Sequence, residues 1–212
     1  MPKTAPFEHH ADAYDQWFDD HQDLYEAELN VIRLLLPPAG GKSLEVGVGS
    51  GKFAGPLGIE VGIDPSLKMC ARARNRGIPV YAGVAEALPF REDCFDLVLM
   101  VTTICFVDDL ARSFAEVWRV LKPGGALLLG FVDKDSELGR LYAANRDKSR
   151  FYRAAVFYSS KEVLNSLKKS GFGPVTVRKA LIPGLSPGAV CDASGNGAFV
   201  VVRGAKPLAV RS

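Results

Sequence analysis

Apolar positions come in two rhythms along this chain. Between residues 11 and 36, Tyr14, Phe18, Tyr25, Leu29 and Ile32 recur at roughly helical spacing until Pro37-Pro38 ends the run, so one or two helices precede the first strand. Short apolar runs follow at 43–46, 60–63, 79–81, 95–101 and 126–132, separated by helical patterns. That alternation is what a parallel sheet with crossover helices requires. Between the last two runs Leu110, Phe114, Val117 and Leu121 share one helical face, with Asp108 or Asp109 as N-cap and Pro123-Gly124-Gly125 as the stop. Another helix opens at Ser159, where Glu162 completes a capping box, and closes at Gly171. Two final strands are expected at 175–181 and 198–202. The intervening stretch, 182–197, is rich in Gly, Pro and Ser and long for a hairpin, which suits either a surface loop or a lid.

A chain of 212 residues fits one domain that buries a core without disulfides or metal. With 48% apolar and 24% charged residues it reads as globular rather than disordered. The net charge is only +2, and the densest basic cluster, Arg72, Arg74 and Arg76, reads as a solvated helix face, which points away from nucleic acid. Cys70, Cys94, Cys105 and Cys191 are widely spaced and suggest neither a zinc site nor a disulfide framework, as expected of a cytoplasmic protein. Glu8, His9, His10 and Asp12 stand where a signal peptide needs an apolar core, and the apolar run 95–107 is too short to cross a bilayer, so no membrane insertion is expected. His9, His10, Asp12 and His21 do not suggest a metal site, since adjacent histidines on a helix point about 100° apart.

The stretch SLEVGVGSGKFAG at 43–55 has the look of a nucleotide loop. A P-loop fails at two positions, because Val46 falls at its first glycine and Phe53 at its Mg²⁺-binding hydroxyl. A dinucleotide fingerprint fails at one, where Lys52 replaces the third glycine. What remains is Glu45 at the end of a strand, then Gly47-x-Gly49-x-Gly51, then a second strand ending in Asp64. Such a loop lets backbone approach a ligand without phosphates, while Asp64 either accepts hydrogen bonds from ribose hydroxyls or caps the next helix. The Gly47-to-Asp64 spacing is shorter than the ~20 residues of a nucleotide-binding βαβ unit, so the intervening helix should be short, ending near 55–56.

The runs Leu44-Glu45-Val46-Gly47-Val48-Gly49-Ser50-Gly51, Gly62-Ile63-Asp64-Pro65-Ser66, Ala85-Glu86-Ala87-Leu88-Pro89-Phe90, Phe95-Asp96-Leu97-Val98 and Val120-Leu121-Lys122-Pro123-Gly124-Gly125 occur in one order. Together they closely resemble class I S-adenosylmethionine-dependent methyltransferases, and more narrowly the small-molecule, ubiquinone/menaquinone-biosynthesis-like branch called methyltransferase type 11. The resemblance spans about 14–204. It implies an α/β, Rossmann-like sheet of seven strands, mostly parallel with the last antiparallel, helices on both faces and an N-terminal helical cap. A single methyltransferase domain over 1–212 is expected, with the cap at 1–40, the core at 41–204 and a loose tail at 205–212.

The resemblance further implies S-adenosyl-L-methionine as cofactor. Gly47, Val48, Gly49 and Gly51 would lie along its methionyl part, with Glu45 helping to hold the ammonium. Asp64 would take the ribose, Pro65, Ser66 and Met69 would border the adenine, and Ala85 with Glu86 would close its other edge. Thr102, Thr103 and Phe106, after the fourth strand, would face the cofactor. Relatives usually carry an acidic residue where this chain has Val84, so the adenine amino group would rely on backbone or on Glu86.

Methyl transfer from a sulfonium leaves a neutral thioether, so the protein's task is alignment and exclusion of water. The acceptor is expected to be a small molecule methylated at O, N or C. No general base is evident. His10 and His21 are candidates beside a reading as solvent-facing helix residues, and Tyr14 either covers the transfer site or packs in the core. Tyr14, Phe18, Phe151, Tyr152 and Phe157 could form an aromatic acceptor wall or ordinary packing. Cys105 reads as inert core more readily than as a reactive thiol. The alternatives are a protein that binds the cofactor without turnover, as a sensor or by binding a partner through its N-terminal helices, and a NAD-dependent dehydrogenase.

Overall fold

The computed structural model describes residues 3–38, 40–180, 190–191 and 197–208. One sheet runs through it, built from β1 (Ser43–Val46), β2 (Val61–Asp64), β3 (Val80–Ala82), β4 (Phe95–Val101), β5 (Leu121–Val132), β6 (Val175–Ala180), β7 (Val190–Cys191) and β8 (Phe199–Ala205). The spatial order is β3-β2-β1-β4-β5-β8-β6-β7. Strands β1 to β5 pair in parallel, and β8 enters antiparallel between β5 and β6. Seven strands thus make the expected mostly parallel sheet, and the two-residue β7 extends its edge. The order reverses between β1 and β4, where an open α/β sheet leaves a crevice beyond its carboxyl ends.

Both faces of the sheet are covered, which is why its central strands read as continuous apolar runs. Leu97, Leu99 and Val101 of β4, with Leu128 and Val201, pack toward one helical layer, whereas Val98 and Met100, with Leu127, Leu129, Val200 and Val202, pack toward the other. The first layer holds α1 (Ala5–His9), α2 (Ala11–Asp20), α3 (Gln22–Arg33), α4 (Ala54–Leu57) and α5 (Leu67–Asn75). The second includes α6 (Leu110–Val120) and α8 (Ser160–Lys169), with α7 (Glu137–Ala144) between β5 and α8. Asp109 caps α6 by accepting the Arg112 N–H, and Ser159 with Glu162 forms the expected capping box on α8.

Some boundaries differ from expectation. The helix after β1 is a single turn, closed by Gly58 at φ +67° rather than at 55–56, because only a left-handed residue there turns the chain directly into β2. β5 begins at Leu121, so Pro123-Gly124-Gly125 does not stand between helix and strand. It is absorbed by a register shift, with Phe95 opposite Leu121 and Leu97 opposite Ala126. The tail is not loose at its start, since Ala205 belongs to β8. Lys206 is buried, with Nζ donating to Asp93 at 2.7 Å and to the carbonyls of Leu121 at 2.6 Å and Trp118 at 3.0 Å. Apart from Val190–Cys191 and Gly197, the stretch 182–197 and its lid-or-loop question lie outside the described residues.

The basic cluster of α5 and its C-cap is exposed at Arg74 and Arg76, as expected, but its guanidinium groups are engaged within the chain. Arg72 pairs with Asp12 and, at 2.7 Å, with Asp15 of α2, while Arg76 reaches Asp15 at 3.0 Å and the Ser50 carbonyl at 2.6 Å. Arg74 donates to the Val80 carbonyl at 2.6 Å. Ser50 Oγ adds a bond to Asp15, Lys52 pairs with Asp19, and Tyr25 donates to the Lys52 carbonyl. These contacts latch the N-terminal helices onto the glycine loop and α5.

That loop is itself pinned to β2. The N–H groups of Gly47 and Val48 both donate to the Ile63 carbonyl, at 2.8 and 3.1 Å, and the Val48 side chain sits against the bare Cα of Gly62. A Cβ on Gly62 would lie 2.7 to 2.8 Å from three Val48 carbons. Gly62→Ala should therefore lower stability by about 1–3 kcal/mol, as overpacking does. Chemical denaturation measures this, and a wild-type midpoint in the variant would show that Val48 does not need the glycine.

Candidate active site

A cavity of about 420 Å³ opens at the carboxyl ends of β1, β2 and β4 and runs beneath the N-terminal helices. One end is bounded by Gly47, Gly49, Asp64, Pro65, Met69 and the 83–86 segment, and the other by aromatic side chains. Gly47 and Gly49 have φ of +73° and +54°, so they present bare backbone in a conformation that side chains disfavour. A Cβ on Gly47 would collide with Thr103, and one on Gly49 would come 3.2 Å from the Tyr14 hydroxyl.

Asp64, 8% exposed, stands at the tip of β2. Its Oδ2 accepts the Gly49 N–H and its Oδ1 the Ser66 N–H, both at 2.8 Å. Burial pushes its carboxyl up to about 6, against the lowering effect of the Ser66 and Gly49 N–H groups. Each oxygen keeps a second lone pair, and Asp64 borders the cavity, so the group can still receive hydroxyls. Glu45 lies deeper on β1, 1% exposed, and its Oε2 has no hydrogen-bond partner among the described residues. Burial raises it well above the usual carboxylate range, although the Ala54 N–H opposes this. Of these two raised carboxylates only Asp64 borders the cavity, while Glu45 stands beneath the glycine turn and not in the lining; the pair fits a ligand that brings ribose hydroxyls and a cationic amine.

Not every residue expected to line this end does so. Val48 is buried against Gly62, and Gly51, at φ +85°, allows close packing on Ile78 and Ala73 of the α5 region, so both shape the loop from behind. Ser66 is fully buried as the N-cap of α5, its Oγ accepting the Met69 N–H, whereas Pro65 and Met69 do border the cavity. Ala85 and Glu86 border it too. The Glu86 carboxylate, however, receives the N–H groups of Asp108 and Asp109 at 2.7 and 3.1 Å, which orders the start of α6.

Thr102, Thr103 and Phe106 follow β4 into the cavity. Thr102 has φ +52°, an uncommon state for a β-branched residue, held by its N–H bond to Gly130 at 2.8 Å. Thr103 turns back to donate to the carbonyls of Val101 and Val46 and covers Gly47.

At the far end Tyr14, Phe18, Phe151 and Tyr152 all line the cavity. Phe7 of α1 joins them, 5.1 Å from Phe106, 5.6 Å from Phe151 and 5.9 Å from Tyr14 between ring centroids. Its position seven residues before Tyr14 and eleven before Phe18 is helical spacing, a signal present in the sequence. Phe157 lies behind this wall, packed on Tyr142 and Tyr152. His10 and His21 do not line the cavity. They occupy the breaks between α1, α2 and α3, exposed to solvent, and His21 stacks on Trp17. Tyr14 is held as a phenol, its hydroxyl raised by burial and by the charges of Glu45 and Asp64. Burial pushes the Cys105 thiol up to about 12, so it stays unreactive.

Glu28 of α3 also faces the cavity, and the sequence reading omitted it. It is 7% exposed, and burial pushes its carboxyl from 4.5 up to about 8. Because the folded value is the higher one, the stability this group allows is complete below about pH 4.5 and is lost as pH rises through about 8. The clue was its phase: Glu28 falls three residues after Tyr25 and four before Ile32, on the buried face of α3.

Known proteins agree with this geometry. A family model described as "Methyltransferase domain" matches residues 44–129. A Thermotoga maritima protein, whose crystal structure is described as an S-adenosylmethionine-dependent methyltransferase and possible histamine N-methyltransferase, is 44% identical, with a TM-score of 0.90 over 96% of this chain and 99% of that one. An uncharacterised protein of Methanocaldococcus jannaschii is 36% identical over 94% of this chain and 98% of its own length. The demethylmenaquinone methyltransferase of Roseiflexus castenholzii is 36% identical over 45% of this chain and 44% of the relative. With a loop, a crevice and nearly its whole length in common with such proteins, the chain belongs to the S-adenosylmethionine-dependent methyltransferases.

Proposed function

We propose that this enzyme methylates a small molecule in the cytoplasm, as one domain in which residues 1–40 cap a core at 41–204. The observation that carries the reading is the continuity of the cavity. It runs from Asp64 and the glycine turn to a chamber walled by Phe7, Tyr14, Phe18, Phe151 and Tyr152. A chamber enclosed by latched helices suits an acceptor that enters whole. Free thiols at Cys70, Cys94 and Cys105 support a reducing compartment.

S-adenosylmethionine, when bound, supplies a methyl group already activated on a sulfonium. The protein's residues then have four tasks. Asp64 accepts the ribose hydroxyls, and Gly47 and Gly49 offer backbone to the methionyl part, with Glu45 drawing its ammonium directly or through water. Pro65, Met69 and Ala85 would border the adenine, and with the Glu86 carboxylate engaged elsewhere the amino group would rely on backbone. Thr102 and Phe106 close the middle of the cavity, and Tyr14 excludes water above Gly49.

Calorimetry with S-adenosylhomocysteine, with NADH as control, should show one-to-one binding of the former alone. Labelled S-adenosylmethionine should then transfer its methyl group to a small-molecule fraction of a cell extract. Transfer only to protein or nucleic acid, or binding with no transfer to any fraction, would refute the reading. Asp64→Ala should lose about 1 to 3 kcal/mol of cofactor affinity. Because protonation removes an acceptor, wild-type affinity should fall as pH drops below about 6, by no more in total than Asp64→Ala costs. An affinity flat from pH 7 to 4.5 would remove Asp64 from the ribose role.

A further inference from the structure

Glu28 is not among the residues assigned above to the cofactor, yet it is among the least exposed carboxyls of the cavity. Burial raises its carboxyl, and it has no hydrogen-bond or ion-pair partner among the described residues. A buried carboxyl without a partner is costly, and where it faces a cavity the missing partner is supplied by a ligand. The cavity's own cations are engaged at the opposite end, Lys3 on the Val107 carbonyl at 3.3 Å and Arg112 on the Glu86 carbonyl at 2.9 Å. Around the aromatic end stand Tyr14, Trp17, Phe18 and Tyr142, whose ring faces attract positive charge.

We propose that the methyl acceptor is an amine, seated with its nitrogen at the Glu28 carboxyl and its hydrocarbon against the rings of Tyr14, Phe18 and Tyr142. The assignment rests on the small-molecule methyltransferase reading and adds the substrate class. An ammonium nitrogen has no free electron pair, so it must give up a proton before it can accept a methyl group. Glu28 takes that proton, leaving a neutral amine beside a neutral carboxylic acid, with no change in the charge of the pair.

This arrangement has a countable consequence. Near pH 7 the amine arrives as an ammonium and the empty site holds Glu28 mostly as the acid, since burial pushes it up to about 8. Once the two meet, the neutral pair retains one proton wherever it sits, so the other leaves to solvent. The ionisable groups that feel Glu28 are the phenols of Tyr14 on α2, Tyr25 on α3, Tyr142 on α7 and Tyr152. All four are raised above the ordinary phenol value and do not titrate near neutrality.

The test is calorimetry of the full chain saturated with S-adenosylhomocysteine, titrated at pH 7 with 2-phenylethylamine, butylamine and 2-phenylethanol in phosphate and in MOPS, neither of which is a primary amine. At least one amine should bind about tenfold or more tighter than the alcohol, releasing about one proton, as the difference between the two buffers reports. Glu28→Gln should abolish the proton release and weaken the amine about tenfold or more, leaving the alcohol within about twofold. Amines that bind no better than the alcohol, or bind without proton release, would overturn the proposal, as would unchanged amine affinity in the variant. Should Glu28→Gln not fold, the proton count on the wild-type protein decides. Failure of S-adenosylhomocysteine itself to bind would count against the methyltransferase reading rather than against Glu28.

Discussion

The hydrogen bond from the Gly49 N–H to Asp64 joins the turn after β1 to the tip of β2, and the rest of the site is arranged around it. With Gly47 and Val48 anchored on the Ile63 carbonyl, the turn has no freedom to drift from the strand beside it. Asp64 is thereby held at the cavity wall by backbone donors that cannot rotate away. A cradle made this way is preorganised, because the ordering is done during folding and need not be repeated each time a ligand arrives.

The acidic residues fall into two sets that fold and function use differently. Asp15, Asp96, Glu116 and Glu162 have cationic partners, and their carboxyls lie below the ordinary range. They tie elements together, Asp15 most plainly, since its burial is outweighed by Ser50, Arg76 and Arg72. Asp64, Glu45 and Glu28 have no such partners among the described residues and are shifted upward by burial. The first set holds the scaffold closed, and the second concentrates unmet polar demand in and beneath one cavity.

Much of the fold was legible because its determinants are local. The capping box at Ser159, the helical face of Leu110, Phe114 and Val117, and the short span between Gly47 and Asp64 each report a structure formed within a few turns of chain. The Arg72 and Arg76 pairs were not legible, because their partner Asp15 lies more than fifty residues away and only the folded cap brings it near. Loop residues with one motif also proved to have different tasks. Gly47 and Gly49 face the cavity, whereas Gly51 and Val48 support them from behind, a distinction that depends on what packs against each Cα. Glu28 was passed over for its residue type although its helical phase placed it inside.

The aromatic wall contributed by Phe151, Tyr152 and Tyr142 lies between β5 and α8, outside the 44–129 span shared with the wider family. The latch that holds the cap, by contrast, is built on the glycine loop and α5, within that span. Substitutions of these three residues therefore change no member of the cradle or of the latch, although Phe151 packs on Phe7 and Tyr14 of the cap. The choice of acceptor is thus divided: part of its wall can be rewritten within one short connection without touching the methyl-donor apparatus, whereas Tyr14, Phe18 and Glu28 are bound up with the cap.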